Sequence, residues 1–121
     1  RLGTAEIYFE VEKFDEIEEA LVVGQSWDND VRIILFIVLN NKHKLTEKLI
    51  MKIKKQIRKN ASPRHVPAKI ISIKDIPKTK NGKIVELAVR QTINGDQIKN
   101  LEALANPESL NQFKNIKALY E

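Results

Sequence analysis

The segment Pro77-Lys78-Thr79-Lys80-Asn81-Gly82-Lys83-Ile84 sets three lysines within six positions, between a proline and an Asn-Gly pair. Ammonium groups this concentrated can neutralise phosphate or carboxylate charge. Asn-Gly is a strong turn signal, because both residues accept positive φ. Ile84, Leu87 and Ala88 follow at helical spacing, which puts Lys83 at the junction of a tight loop and a helix. A lysine held there projects from a defined backbone, which is how a cationic group would be presented to an anionic reaction centre supplied from elsewhere.

Other chemistries lack their parts. The chain has no cysteine, which excludes disulfides, thiolate nucleophiles and Cys-based zinc sites. Its two histidines are isolated, His43 among lysines and His65 between Arg64 and Val66, and neither belongs to a nucleophile–base pair or a metal-ligand set. Asp15, Glu16, Glu18 and Glu19 read as the solvated start of a strand. Asn94-Gly95-Asp96 lacks the further acidic ligands of a Ca²⁺ loop, so no metal site is expected. What remains is cationic: Arg1, Arg58, Arg64, Lys78, Lys80 and Lys83. A domain offering only cations does no acid–base or nucleophilic work alone. If enzymatic, it completes a site on a partner domain.

The elements that must position these cations can be read in order. Thr4 is expected to cap a helix over 5–14, with Ile7, Val11 and Phe14 on its apolar face and Tyr8 beside them. Residues 16–24 read as a strand, Asp28-Asn29-Asp30 as a polar turn, and the β-branched run 31–39 as a strand that is either covered on both faces or central. Leu45-Thr46-Glu47 opens the clearest helix. Thr46 is its N-cap, Leu45 staples onto Ile50, and Leu45, Leu49, Ile53 and Ile57 form the apolar stripe opposite Lys48, Lys52, Lys55, Arg58 and Lys59. Pro63 and Pro67 predict an extended passage, 68–73 a third strand, and 84–93 a helix stopped by Asn94-Gly95. The polar stretch after Asp96 is expected to pack as short helical turns. The fold class is therefore α+β, a small three-stranded, mostly antiparallel sheet flanked by helices.

The 121 residues suffice for one modest core, and 42% hydrophobic against 31% charged residues is ordinary for a globular chain. The net charge of +5 reads first as a solvated basic face. The longest apolar run, 31–39, is interrupted by Arg32 and is too short to span a bilayer. The lack of cysteine fits a reducing compartment, and a cytoplasmic location is expected. The chain opens at Arg1-Leu2-Gly3 without an initiator Met, and the expectation is a fragment of a longer protein.

Pro77-Lys-Thr-Lys-Asn-Gly-Lys83 resembles the C-terminal lysine motif of the adenylate-forming enzymes, the group that includes acyl-CoA synthetases, luciferases and peptide-synthetase adenylation domains. Arg1-Leu-Gly-Thr-Ala-Glu-Ile7 is similar to the segment that follows those enzymes' interdomain hinge. Ser62-Pro-Arg-His-Val-Pro67 and the tail from Lys99 to Leu110 resemble the acetoacetyl-CoA synthetases in particular. Lys80-Asn81 stands where relatives often carry Arg-Ser, a change that preserves charge and turn.

The resemblance implies a division into a catalytic-lysine domain, 1–95, and a C-terminal extension packed on it, 96–121. It implies an acid–CoA ligase that joins acetoacetate to the α-phosphate of ATP and then exchanges AMP for CoA. ATP and CoA are its substrates, and Mg²⁺ is held by ligands in an N-terminal adenylation domain of the same polypeptide. Lys83 would bridge the carboxylate and the α-phosphate, on a loop supported by Lys80, Asn81 and Gly82. Arg1 would contact the nucleotide phosphate, Gly3 would leave room for pantetheine, and Arg58 would meet the 3′-phosphate of CoA. An equal alternative for Arg58 is a helix-end cation facing the dipole. Lys78 and Lys80 would supply field rather than catalysis, and Arg64 and His65 would shape the proline loop. Exposed on a loop, Lys83 also invites a lysine acetyltransferase and deacetylase, since acetylation removes its charge.

Two alternatives stand beside this reading. One is a synthetase for another short acid, acetate or propionate. The other is a basic module binding RNA through the Lys48, Lys52, Lys55 and Lys59 face. Four Phe, two Tyr and one Trp, most of them on apolar faces, provide no stacking platform for it. No nucleic-acid or membrane partner is expected.

Overall fold

The computed structural model describes residues 4–40, 43–81, 85–98 and 101–121. Helix α1 spans Ala5–Val11 and leads into strands β1 (Ile17–Trp27) and β2 (Asp30–Leu39). Helix α2 (Glu47–Asn60), strand β3 (Lys69–Ser72) and helix α3 (Glu86–Ile93) follow, and the tail is laid down as 3₁₀ turns over Leu101–Ala103, Pro107–Phe113 and Lys117–Tyr120. The sheet order is β1-β2-β3, with β1 antiparallel and β3 parallel to β2. The parallel step is possible because α2 carries the chain across one face of the sheet.

Alternation along the strands builds two cores. Ala20, Val22, Leu35, Ile37 and Ile70 face α1 and α2, meeting Ile7, Val11, Phe14, Leu49, Ile53 and Ile57. Leu21, Val23, Ile34, Phe36 and Val38 face the other way, onto α3 and the tail. Of the two readings of its β-branched run both hold: β2 is central, and it is covered on both faces. Thr46 caps α2, its Oγ1 accepting the Leu49 N–H at 3.2 Å. The helix α3 ends in paired bonds, Gly95 N–H to the Thr92 carbonyl and Asp96 N–H to the Gln91 carbonyl, with Gly95 at φ +78°.

Several expectations need correction. Helix α1 stops at Val11, and Thr4 has helical dihedrals, so only its carbonyl serves the first turn, accepting from the Ile7 and Tyr8 N–H groups. Phe14 reaches the core from the turn after the helix. Strand β1 runs past Gly24 to Trp27, because Asp28 and Asn29 both take positive φ and make a two-residue hairpin turn. Pro63–His65 is a 3₁₀ turn, not an extended passage, since proline's fixed φ suits a first helical position. Within α3 the buried residues are Ala88 and Val89, while Leu87 is more than half exposed; Ile84 lies outside the described residues.

Candidate functional site

The lysine loop leaves β3 and is pinned from within before it reaches its cations. Ile76 is fully buried in the core shared by α3 and the tail, and Pro77 is buried beside it. Lys78 and Thr79 are half-buried, whereas Lys80 and Asn81 are exposed. The Val85 N–H donates to the Pro77 carbonyl at 3.1 Å, so the chain on either side of residues 82–84 is drawn together. Lys83 and Gly82 lie outside the described residues, as do Arg1 and Gly3.

The tail lies along this loop. Thr79 and Leu104 form an antiparallel bridge, the Lys80 N–H donates to the Ala103 carbonyl at 3.3 Å, and the Ala105 N–H donates to the Lys78 carbonyl at 2.8 Å. The Lys78 ammonium pairs with the Glu19 carboxylate of β1. Glu19 is thus a partner of the loop and not only part of a solvated acidic edge; nothing in its sequence neighbourhood signals this, because the pairing spans the fold.

A second link ties α1 to the entrance of α3. The Tyr8 hydroxyl donates to the Glu86 carboxylate and accepts the Val22 N–H of edge strand β1 at 2.8 Å. Burial and the bond to Glu86 push the Tyr8 phenol above its ordinary range. Beside this link an open groove of about 1030 Å³ is lined by Gly24, Val31 and Ile33 of the hairpin and by Arg64, Leu87 and Arg90. A side-chain carbon on Gly24 would sit 2.8 Å from Val31 Cγ1, so any larger residue there requires the Val31 side chain to shift.

The remaining cations separate. Arg64 is exposed and lines the groove, while the His65 ring meets Ser62 Oγ at 2.6 Å and Glu6 at 3.7 Å, beside the backbone bonds of the proline turn. Arg58 is exposed in the last turn of α2, on the layer opposite α3 and the tail, so the structure does not gather it with Lys78 and Lys80. Among the described residues, no group of three or more His, Asp or Glu side chains could hold a metal ion. Among the described residues, no helix is long and apolar enough to cross a membrane.

The AMP-binding enzyme C-terminal domain family matches residues 11–83, more than half of the chain and the whole lysine segment up to Lys83. The chain belongs to that family. Over 119 residues this AMP-binding C-terminal domain is 58% identical to the acetoacetyl-coenzyme A synthetase of Rhizobium meliloti, covering 98% of this chain and 18% of the relative. Among solved structures it resembles the acetoacetyl-CoA synthetase from Streptomyces lividans, with a TM-score of 0.86 and 33% identity over all of this chain and 19% of that one. It also resembles an acyl-CoA synthetase of Brucella canis, with a TM-score of 0.70 and 25% identity over 75% of this chain and 17% of that one. The chain therefore spans less than a fifth of the length of these relatives.

Proposed function

We propose that this chain is the mobile C-terminal domain of an AMP-forming acid–CoA ligase that makes acetoacetyl-CoA from acetoacetate, ATP and CoA, and that it is inactive alone. The observation that carries the reading is the 58% identity to an acetoacetyl-coenzyme A synthetase over nearly the whole chain, tail included. The partner is an N-terminal adenylation domain of the same polypeptide, which holds the acid pocket, the ATP loops and the Mg²⁺ ligands, in the cytoplasm. Residues 1–95 form the lysine-bearing domain and 96–121 an extension packed on it.

In the first step an acetoacetate oxygen attacks the α-phosphorus of ATP, the bond to the β-phosphate oxygen breaks, and pyrophosphate leaves. Two anions must approach, so a positioned ammonium is worth several kcal/mol where water is scarce. Lys83 supplies it, between the carboxylate and the α-phosphate, with Lys80, Asn81 and Gly82 supporting its loop. In the second step the CoA thiol loses its proton and attacks the acyl carbonyl, and the C–O bond to AMP breaks. The domain rotates between the steps, withdrawing Lys83 and bringing in the segment with Arg1 at the nucleotide phosphate and Gly3 beside the pantetheine. Arg58 meets the 3′-phosphate of CoA.

The test is acid-dependent pyrophosphate exchange and thioester formation by the intact enzyme across acetate, propionate, acetoacetate and longer acids, with a Lys83→Ala variant alongside. Preference for acetoacetate, and loss of exchange with retained thioester formation from supplied acyl-adenylate in the variant, is the expected result. Preference for another acid overturns the substrate, and exchange at the wild-type rate in the variant overturns the lysine. Acetylated Lys83 has lost the same charge and should behave as the alanine variant does.

A further inference from the structure

Residues 74–78 carry the chain from β3 to the lysines, yet much of their backbone is satisfied by two amide side chains of the tail. Asn106 Oδ1 accepts the Lys78 N–H at 2.9 Å, and its Nδ2 donates to the Ile76 carbonyl at 3.0 Å and to Asp75 Oδ2 at 2.7 Å. Gln112 Oε1 accepts from the Lys74 N–H at 2.7 Å and the Asp75 N–H at 3.2 Å, while its Nε2 donates to the Asp75 carbonyl at 2.6 Å. Each side chain donates and accepts at once, which a carboxylate cannot do and an alkyl group cannot begin.

The tail is itself fixed at the far end. Leu110, Phe113 and Leu119 are buried in the core, and the Leu119 carbonyl accepts from Gln25 Nε2 at 2.7 Å and from Arg32 at 3.2 Å. A loop bonded to such a segment takes its position from it. The family match ends at Lys83, so these amides lie beyond the matched residues.

We propose that the tail is a template for the lysine loop, and that Asn106 and Gln112 are positioning residues for adenylation, setting where the loop carries its lysines. The inference rests on the assignment of Lys83 above. An ammonium misplaced by about 1 Å loses on the order of a hundredfold in rate. The thioester step, from which the lysine is withdrawn, has no such requirement.

The experiment measures both half-reactions in intact Asn106→Ala, Gln112→Ala, Asn106→Asp and Lys83→Ala enzymes: acetoacetate-dependent pyrophosphate exchange, and thioester formation from supplied acetoacetyl-adenylate. In the tail variants exchange should fall about tenfold to a hundredfold, with thioester formation within about twofold of wild type. Asn106→Asp should be no better than alanine, since its carboxylate faces Asp75 and has no donor for Ile76. The retained thioester step shows that each variant is folded. If both half-reactions fall together the tail is only scaffold, and the proposal is overturned. If Lys83→Ala abolishes exchange while the tail variants keep it, the template fails and the lysine assignment survives. If Lys83→Ala itself keeps exchange, both fall.

Discussion

Phe113 of the tail meets Phe36 of the central strand edge to face, with ring centroids 4.8 Å apart and planes at 86°. Both rings are buried, so the tail is part of the same core as α3 and the sheet. Edge-to-face pairs add about 0.5–1.5 kcal/mol to the burial of the rings themselves. Phe113→Ala should therefore destabilise the domain by about 3–5 kcal/mol, read as a shift in the urea midpoint. A shift below about 1 kcal/mol would mean that the tail is an appendage whose loss the core does not register.

What the sequence made legible, and what it hid, divide along the range of the interaction. Thr46, the Leu49, Ile53 and Ile57 stripe, the Asp28-Asn29 turn and the Gly95 stop are local chemistry, and each is found where periodicity or turn preference puts it. The loop's cations are equally visible as a cluster. Their partners are not, because Glu19 with Lys78, Glu86 with Tyr8 and Asn106 with Lys78 are joined only when distant segments meet. Asn106 could be seen before a proline as a turn residue, but nothing in the sequence marks it as a hydrogen-bond partner of the loop. Leu87 shows the opposite failure: its helical spacing suggests burial, while the helix turns it toward the groove.

Glu10 is a buried acid on the same helix face as Ile7 and Val11, where its spacing fits the core and only its charge suggests the surface. Its carboxylate accepts from Asn60 Nδ2 at 2.8 Å, from Gln56 at 3.3 Å and from Lys13 at 3.1 Å, tying α1 to α2. The Asn60 bond, with help from Lys13 and against the effect of burial, holds its carboxyl below the ordinary value of 4.5. The unfolded chain then binds the proton more readily than the folded one, so the stabilisation is complete above pH 4.5 and is lost as pH falls through the lower folded value. Glu10→Gln should cost about 1–3 kcal/mol at neutral pH. The gap between variant and wild type, followed by urea unfolding, should close in acid. A gap that stays constant there would assign the effect to packing instead of charge.

Arg58 separates its two readings by the thiol it is offered. It is exposed in the last turn of α2, where a cation also complements the helix dipole. Dephospho-CoA lacks the 3′-phosphate that the guanidinium would grip. If the grip exists, the intact wild-type enzyme should prefer CoA, and Arg58→Ala should raise KM for CoA about tenfold while leaving dephospho-CoA within about twofold. A residue that serves only the dipole would lower the melting temperature slightly and treat the two thiols alike. Steady-state kinetics with both thiols, set beside the melting curves of the same preparations, decides between them. Retained discrimination in Arg58→Ala would place the 3′-phosphate contact on another cation.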